Sequence, residues 1–274
     1  MATHLRVVGG HTEGFGKTYR TDAWWRGPAL TFFVFSTFVV YTTWAALQGK
    51  YYYADPYLSP FYSPVLFLDP HAAGAAHSSW FGEVPSALPR WIPGVMSPAI
   101  YILIFPGSFR FTCYYYRKAY YRSFAGSPPG CAVGPLAGKR RYLGETHLLL
   151  FQNLHRYALY FALLFIIFLA KDAVEAFFKD GRPGIGVGSI VLTINVVLIA
   201  AYTFGCHSFR HLVGGRKDCM SCGQASLSYG AFKKATWFNA RHMQFAWASL
   251  IWVMVADLYV RLVSMGVIKD LNTW

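Results

Sequence analysis

The sequence predicts an all-α membrane protein: five transmembrane helices in one bundle, with the N-terminus cytoplasmic and the C-terminus outside. Three observations predict it. Hydrophobic residues make up 55% of the 274 and charged residues only 14%, a balance outside the usual range for a soluble domain. Aromatic residues reach 19%, with nine Trp and nineteen Tyr, and such rings favour the headgroup level, where one edge stays wet. Lys and Arg, finally, gather in alternate loops between long apolar stretches, the pattern of a chain oriented across a bilayer.

A helix needs about 20 mainly apolar residues to cross the hydrocarbon core, and the elements follow from that length. Residues 1–26 carry Gly-rich and charged stretches with no apolar core before Trp24. They read as a cytoplasmic segment rather than a cleavable signal peptide. The first span, 27–48, is uncharged throughout. The loop that follows, with YYYADPYLSPFYSP, reads as an interfacial cover on the outer face. The second span covers 91–117, bent by Pro98, Pro106 and Gly107. The third, 147–170, has Arg156 in its first half and LYFALLFIIFLA in its second. The fourth covers 184–206 and the fifth 241–265, so that one membrane domain occupies 27–268 and residues 269–274 form an outer tail. Orientation comes from counting Lys and Arg outside the spans. The N-terminal segment, the 110–146 loop and the 207–241 segment together hold 17, and the intervening loops and the tail hold 6. The basic side faces the cytoplasm. The formal charge of +13 is explained by this bias and needs no nucleic-acid partner.

With that orientation all five cysteines, Cys113, Cys131, Cys206, Cys219 and Cys222, lie at or near the cytoplasmic face, as do His147, His155, His207, His211 and His242. A disulfide framework belongs on the oxidising side, so free thiols or metal ligands are expected here. Buried thiols that act only as small hydrophobes are the simpler alternative for any one of them. The second and fourth spans run toward the cytoplasm and the third and fifth start there. Cys113 and Cys206 therefore end two helices near the level where His155 and His242 enter two others. His155 sits about 12 Å along its helix from His147 at 1.5 Å per residue. With Arg156, Gln152 and Asn153 it makes a polar patch inside a span, which marks a functional candidate. Two thiolates and two imidazoles suit either zinc or a Rieske-type [2Fe–2S] cluster, with two thiolates on one iron and two imidazoles on the other. Cys131, after the rigid SPPG turn, rivals Cys113 and Cys206 as a ligand. The CMSC pair, Cys219 and Cys222, lacks two further ligands, and His207 and His211 share a helical face at i,i+4 as a second, weaker metal pair.

A quinone site needs an apolar slot and a few polar groups. Tyr19, Arg20, Asp22, Trp24 and Trp25 offer these at the cytoplasmic interface, with Arg156 and Trp247 as candidates to face them, although an aromatic and basic membrane anchor accounts for the same residues. Asp257 and Arg261, four residues apart in the fifth span, form a neutralised pair.

The strings HTEGFGKTYRTDAWW, FRFTCYYYRKAYYRSF, SPPGCAV, FQNLHRYALYF, CHSFRHLVGG and ARHMQFAW resemble the membrane anchor of an actinobacterial succinate dehydrogenase (respiratory complex II), in which one five-helix subunit replaces the usual pair. The resemblance spans most of the chain. It implies a bacterial plasma-membrane subunit that lacks haem, carries a Rieske-type [2Fe–2S] cluster and passes electrons from a flavoprotein subunit, by way of an iron–sulfur subunit, to a membrane quinone, menaquinone or ubiquinone. It points to His155 and His242 as the imidazole ligands and to Cys113 and Cys206, with Cys131 behind them, as the thiolates, and it lowers the weight of Cys219 and Cys222. Two readings compete. One is a b-type cytochrome anchor with a haem between His155 and His242, and the other is a purely structural anchor, for which every cysteine would be dispensable. A transporter is disfavoured because no inverted repeat is visible.

Overall fold

The computed structural model describes residues 14–69, 72–84, 97–136, 147–215, 219 and 227–274. Eight helices are found among them: α1 Arg26–Gln48, α2 Pro98–Thr112, α3 Tyr114–Ser123, α4 Leu148–Glu175, α5 Val187–Phe204, α6 His207–Gly214, α7 Leu227–Ala240 and α8 His242–Ser264. Two short antiparallel hairpins, β1 Tyr53–Ala54 with β2 Tyr57–Leu58 and β3 Phe178–Lys179 with β4 Arg182–Pro183, lie in loops. Among the described residues α1, α4, α5 and α8 are long and apolar enough to cross a membrane, and they fall on four of the five expected spans.

The second expected span departs from expectation. Its start near Trp91 lies outside the described residues. Its end is corrected: the helix does not continue to residue 117 but stops at Thr112, and α2 has 15 residues, about 23 Å at 1.5 Å per residue. The break is at Cys113, whose backbone is extended (φ −68, ψ 128) and which caps the separate helix α3. On either side of the break the apolar PAIYILIF run of α2 and the YYYRKAYYRS of α3 differ in character, the latter an aromatic and basic stretch suited to an interface.

The chain divides into two compact units, Met1–Thr37 with Phe111–Gln152, and Phe38–Arg110 with Asn153–Trp274. In the first, the N-terminal segment pairs with the loop after α3: Gly16 donates to the Gly134 carbonyl at 3.0 Å and Gly134 to that of Lys17 at 2.9 Å. Phe35 packs among Tyr116, Tyr120 and Phe124. Arg117 is buried, donates to the Thr112 carbonyl and lies 4.9 Å from the Phe151 ring centroid.

In the second unit α8 is the central element. Ala246, Ser249, Val253, Ala256 and Val260 recur at helical spacing and are all buried, a stripe of small and β-branched residues that lets α5 pack closely along it. Trp252 donates from its indole to the Val191 carbonyl at 3.0 Å. The large apolar side chains on the other faces, Ile167, Val197 and Leu258 among them, are exposed, as lipid-facing residues are. The described part of the loop after α1 packs on the end of that helix: Tyr62 donates to the Ala45 carbonyl at 2.7 Å and its ring stacks on Tyr52 at 4.2 Å. Asp257 and Arg261 form the expected pair at 3.3 Å, both buried. The C-terminal segment docks as well. Val187 donates to the Leu271 carbonyl and Thr273 to that of Ile185, while Asp270 accepts from Tyr57 at 2.6 Å and from the Gly188 amide at 3.1 Å. A side chain at Gly188 would meet the Tyr57 ring at 2.6 Å, so the close approach of this segment requires glycine.

Candidate functional site

Two cysteines occupy matching places in the chain. Cys113 stands between α2 and α3 and Cys206 between α5 and α6, each in extended backbone as the residue that caps the next helix. Each is 2% exposed. The Cys206 sulfur accepts from the Ser208 amide at 3.3 Å, and a helix N-terminus favours negative charge at such a sulfur. FRFTC before YYYRK and YTFGC before HSFRH thus write the same local event: an apolar helix ends, a thiol turns inward, and a polar helix begins.

Two of the expected imidazoles are buried in the second unit. His155, on α4, brings its Nε2 to 3.0 Å from the Cys206 sulfur, and its ring stacks on Phe109 with centroids 4.5 Å apart. His242, the first residue of α8, is 3% exposed and stacks on Tyr202 at 4.9 Å. Phe109 and Tyr202 in turn meet edge to face at 5.4 Å. An aromatic series therefore joins the two imidazoles. Over the Tyr202 ring, at 4.8 Å, lies the guanidinium of Arg110, which also donates to the Ser249 hydroxyl at 3.0 Å and to the Ala246 carbonyl at 3.3 Å.

The other expected site residues are placed differently. Cys131 is exposed; the SPPG turn docks the segment on the N-terminal strand of chain, where Arg20 donates to the Cys131 carbonyl at 3.1 Å, and its thiol is not driven into a core. Cys219 stands in a disulfide in place of the free thiol or ligand expected, and Cys222 lies outside the described residues. His207 and His211 share a face of α6 and are both exposed. Among the described residues no three His, Cys, Asp or Glu side chains converge on one point.

Of the expected quinone ligands, Tyr19, Arg20, Asp22, Trp24 and Trp25 fall in the first unit and Arg156 and Trp247 in the second. Arg20 is committed to a 2.5 Å ion pair with Asp22. That contact holds the Asp22 carboxyl below its usual range. Tyr19, Trp25 and Arg156 are exposed and Trp247 is half-buried.

Arg110, Phe109, Tyr202 and Ser249 were not singled out from the sequence. Arg110 was counted there as a loop charge; the structure places it inside α2, half-buried. A signal existed, since Arg110 lies three residues before Cys113, one helical turn from the break.

Several long apolar helices, their large side chains exposed on the outward faces, define the class: a multi-pass membrane protein. The chain belongs to the actinobacterial succinate dehydrogenase subunit SdhC family, whose model matches residues 26–266. It is therefore a membrane anchor subunit of a succinate dehydrogenase complex and a multi-pass bacterial membrane protein. A chain of the structure titled "Mycobacterium smegmatis Sdh1 complex in the apo form" is 40% identical to it, with 94% of each chain covered and a TM-score of 0.79. Among curated proteins none matches.

Proposed function

We propose that this subunit carries electrons from the iron–sulfur subunit of the complex to a membrane quinone through a Rieske-type [2Fe–2S] cluster held by His155, His242, Cys113 and Cys206. One observation carries the reading. The described part of the chain buries two thiols at equivalent helix junctions and two imidazoles on membrane helices, and one thiol–imidazole pair is already in contact at 3.0 Å. That donor set, two sulfurs and two nitrogens, fits the group. When bound, the cluster would supply a one-electron relay, with a potential above that of all-cysteine clusters.

The chain's own residues supply the setting. At Cys206 the helix N-terminus of α6 reaches the sulfur through the Ser208 amide and offsets thiolate charge. Stacking on Phe109 and Tyr202 fixes the planes of the two imidazoles. The Arg110 cation, spread over Tyr202, favours the state that carries one more electron. Burial of all four donors keeps water from competing for them.

The family's membrane setting and the charge bias support five spans with the N-terminus inside, the second of them including α2. The cytoplasmic loops, rich in Lys and Arg, would steer an acidic face of the iron–sulfur subunit, and the flavoprotein subunit lies beyond it. The Tyr19–Trp25 segment is the candidate for the quinone site, its Arg20–Asp22 pair at the rim. Alanine at His155 or at His242 is expected to leave the complex assembled and succinate oxidation by a soluble acceptor intact, and to stop quinone reduction. Normal succinate–quinone turnover in either variant sinks the proposal.

A further inference from the structure

We propose that the cavity beside the C-terminal end of α4 binds a phospholipid with a primary ammonium headgroup, the amine drawn to the wall that carries Asp55, Asp172 and Glu175 and the acyl side lying against Ile167, Phe168 and Trp80. The inference rests on α4 as a membrane helix and not on the cluster. The cavity measures about 530 Å³ and lies wholly within the second unit, a size typical of ligand sites.

Its position sets the kind of ligand. The 28 residues of α4 reach about 42 Å at 1.5 Å per residue, against a hydrocarbon core of about 30 Å, so part of the helix stands at headgroup depth. Along α4 the apolar run ends at Ala170 and Lys171, Asp172 and Glu175 follow. The cavity straddles that boundary. One wall is apolar: Ile167 is 64% exposed, and Trp80 meets Phe168 edge to face at 5.1 Å. The other wall is charged. An occupant must therefore be an amphiphile with its head at Lys171 and its tail at Ile167.

Charge then selects the head. In a chain with 25 Lys and Arg against 12 Asp and Glu, three carboxylates line this one cavity beside Lys171 and His77. Asp55 accepts from the Tyr53 hydroxyl at 2.9 Å, Asp172 accepts from Ser63, and Glu175 pairs with Lys171 at 2.6 Å. Each carboxylate has about four acceptor sites, so these contacts leave acceptors to spare. A quinone ring would set carbonyl acceptors against carboxylate acceptors, and an anionic headgroup would meet like charge. A primary ammonium brings three donors and a positive charge, and Lys171 stands beside them for the phosphate. A trimethylated headgroup carries the charge without the donors.

The test uses the intact complex, delipidated in detergent and examined by native mass spectrometry with added phosphatidylethanolamine, phosphatidylcholine, phosphatidylglycerol or a short-chain quinone. The expected result is tighter retention of phosphatidylethanolamine than of the other lipids by about tenfold, the share of one charge-assisted hydrogen bond. Asp55→Asn with Glu175→Gln is expected to bring it down to the phosphatidylcholine level. A photoactivatable phosphatidylethanolamine added to the unmodified complex is expected to label the peptides that carry Trp80 and Phe168, which keeps the proposal testable if the double variant does not assemble. Equal or better retention of phosphatidylglycerol, displacement of the lipid by quinone, undiminished retention in the double variant, or labelling elsewhere overturns it.

Discussion

Asp257 and Arg261 permit a worked estimate of what one buried pair contributes. Asp257 is fully buried and Arg261 is 2% exposed. The carboxylate accepts from the Tyr41 hydroxyl at 2.6 Å, from Ser59, and from Arg261 at 3.3 and 3.4 Å. Replacement of Asp257 by leucine leaves the guanidinium with the Lys50 carbonyl at 2.9 Å, the Ala45 carbonyl at 3.4 Å and the face of Trp44 at 5.2 Å, none of which bears a negative charge. The lost hydrogen bonds to a charged group are worth about 1.5–3 kcal/mol, and the uncompensated buried cation brings the total to about 3–5 kcal/mol. Asp257→Leu combined with Arg261→Met removes both charges and is expected to recover at least half of that loss, because two desolvated ions are then no longer needed. Unfolding of the complex in mixed micelles, read as a double-mutant cycle, measures both. A single-variant loss below about 1 kcal/mol, or a double variant that costs the sum of its singles, refutes the reasoning.

Gly188→Ala places a methyl group 2.6 Å from the Tyr57 ring, which cannot retreat while its hydroxyl is tied to Asp270 at 2.6 Å; a loss of about 1–3 kcal/mol and faster hydrogen exchange at the Val187 amide are expected. For Asp270, burial raises the carboxyl pKa, but hydrogen bonds from Tyr259, Tyr57, the Gly188 amide and Asn272 outweigh it and set the value below the usual 3.8. A folded-state value below the unfolded one makes the docking of the C-terminal segment fully stabilising above that pH and lost as pH falls through the lowered value, so exchange protection at Val187 and Thr273 should fall only in acid and should become pH-independent there in Asp270→Asn. Arg110→Gln removes a cation beside the site while keeping a donor for Ser249, and is expected to lower the cluster's midpoint potential in a redox titration; an unchanged potential removes Arg110 from the account.

Much of the fold was legible because a bilayer imposes one rule, a run of about 20 apolar residues, and four spans obey it without interruption. The second does not, since the event at Cys113 is a backbone break that hydropathy cannot register: Phe111, Thr112 and the three tyrosines after Cys113 remain apolar enough to read as one helix. The buried thiols at 113 and 206 were legible from their places at helix ends. The fate of Cys131 was not, because the direction in which a turn aims a side chain depends on what the turn docks against, here the N-terminal segment through Arg20. The aromatic series between His155 and His242 escaped notice for a similar reason. Phe109 and Tyr202 are ordinary residues of apolar helices until packing sets them between two imidazoles. The docking of residues 270–274 rests on backbone hydrogen bonds and on Asp270, whose partners Tyr57 and Gly188 lie far away in the chain, so composition does not encode it.

Electron paramagnetic resonance of the dithionite-reduced complex, with an optical spectrum of the same sample, addresses the central claim most directly. A [2Fe–2S] signal with hyperfine coupling to two imidazole nitrogens, lost in His155→Ala and in His242→Ala while the signals of the iron–sulfur subunit persist, is the predicted outcome. A spectrum with only all-cysteine clusters, a haem absorption band, or a histidine-coupled signal that survives both substitutions would contradict it.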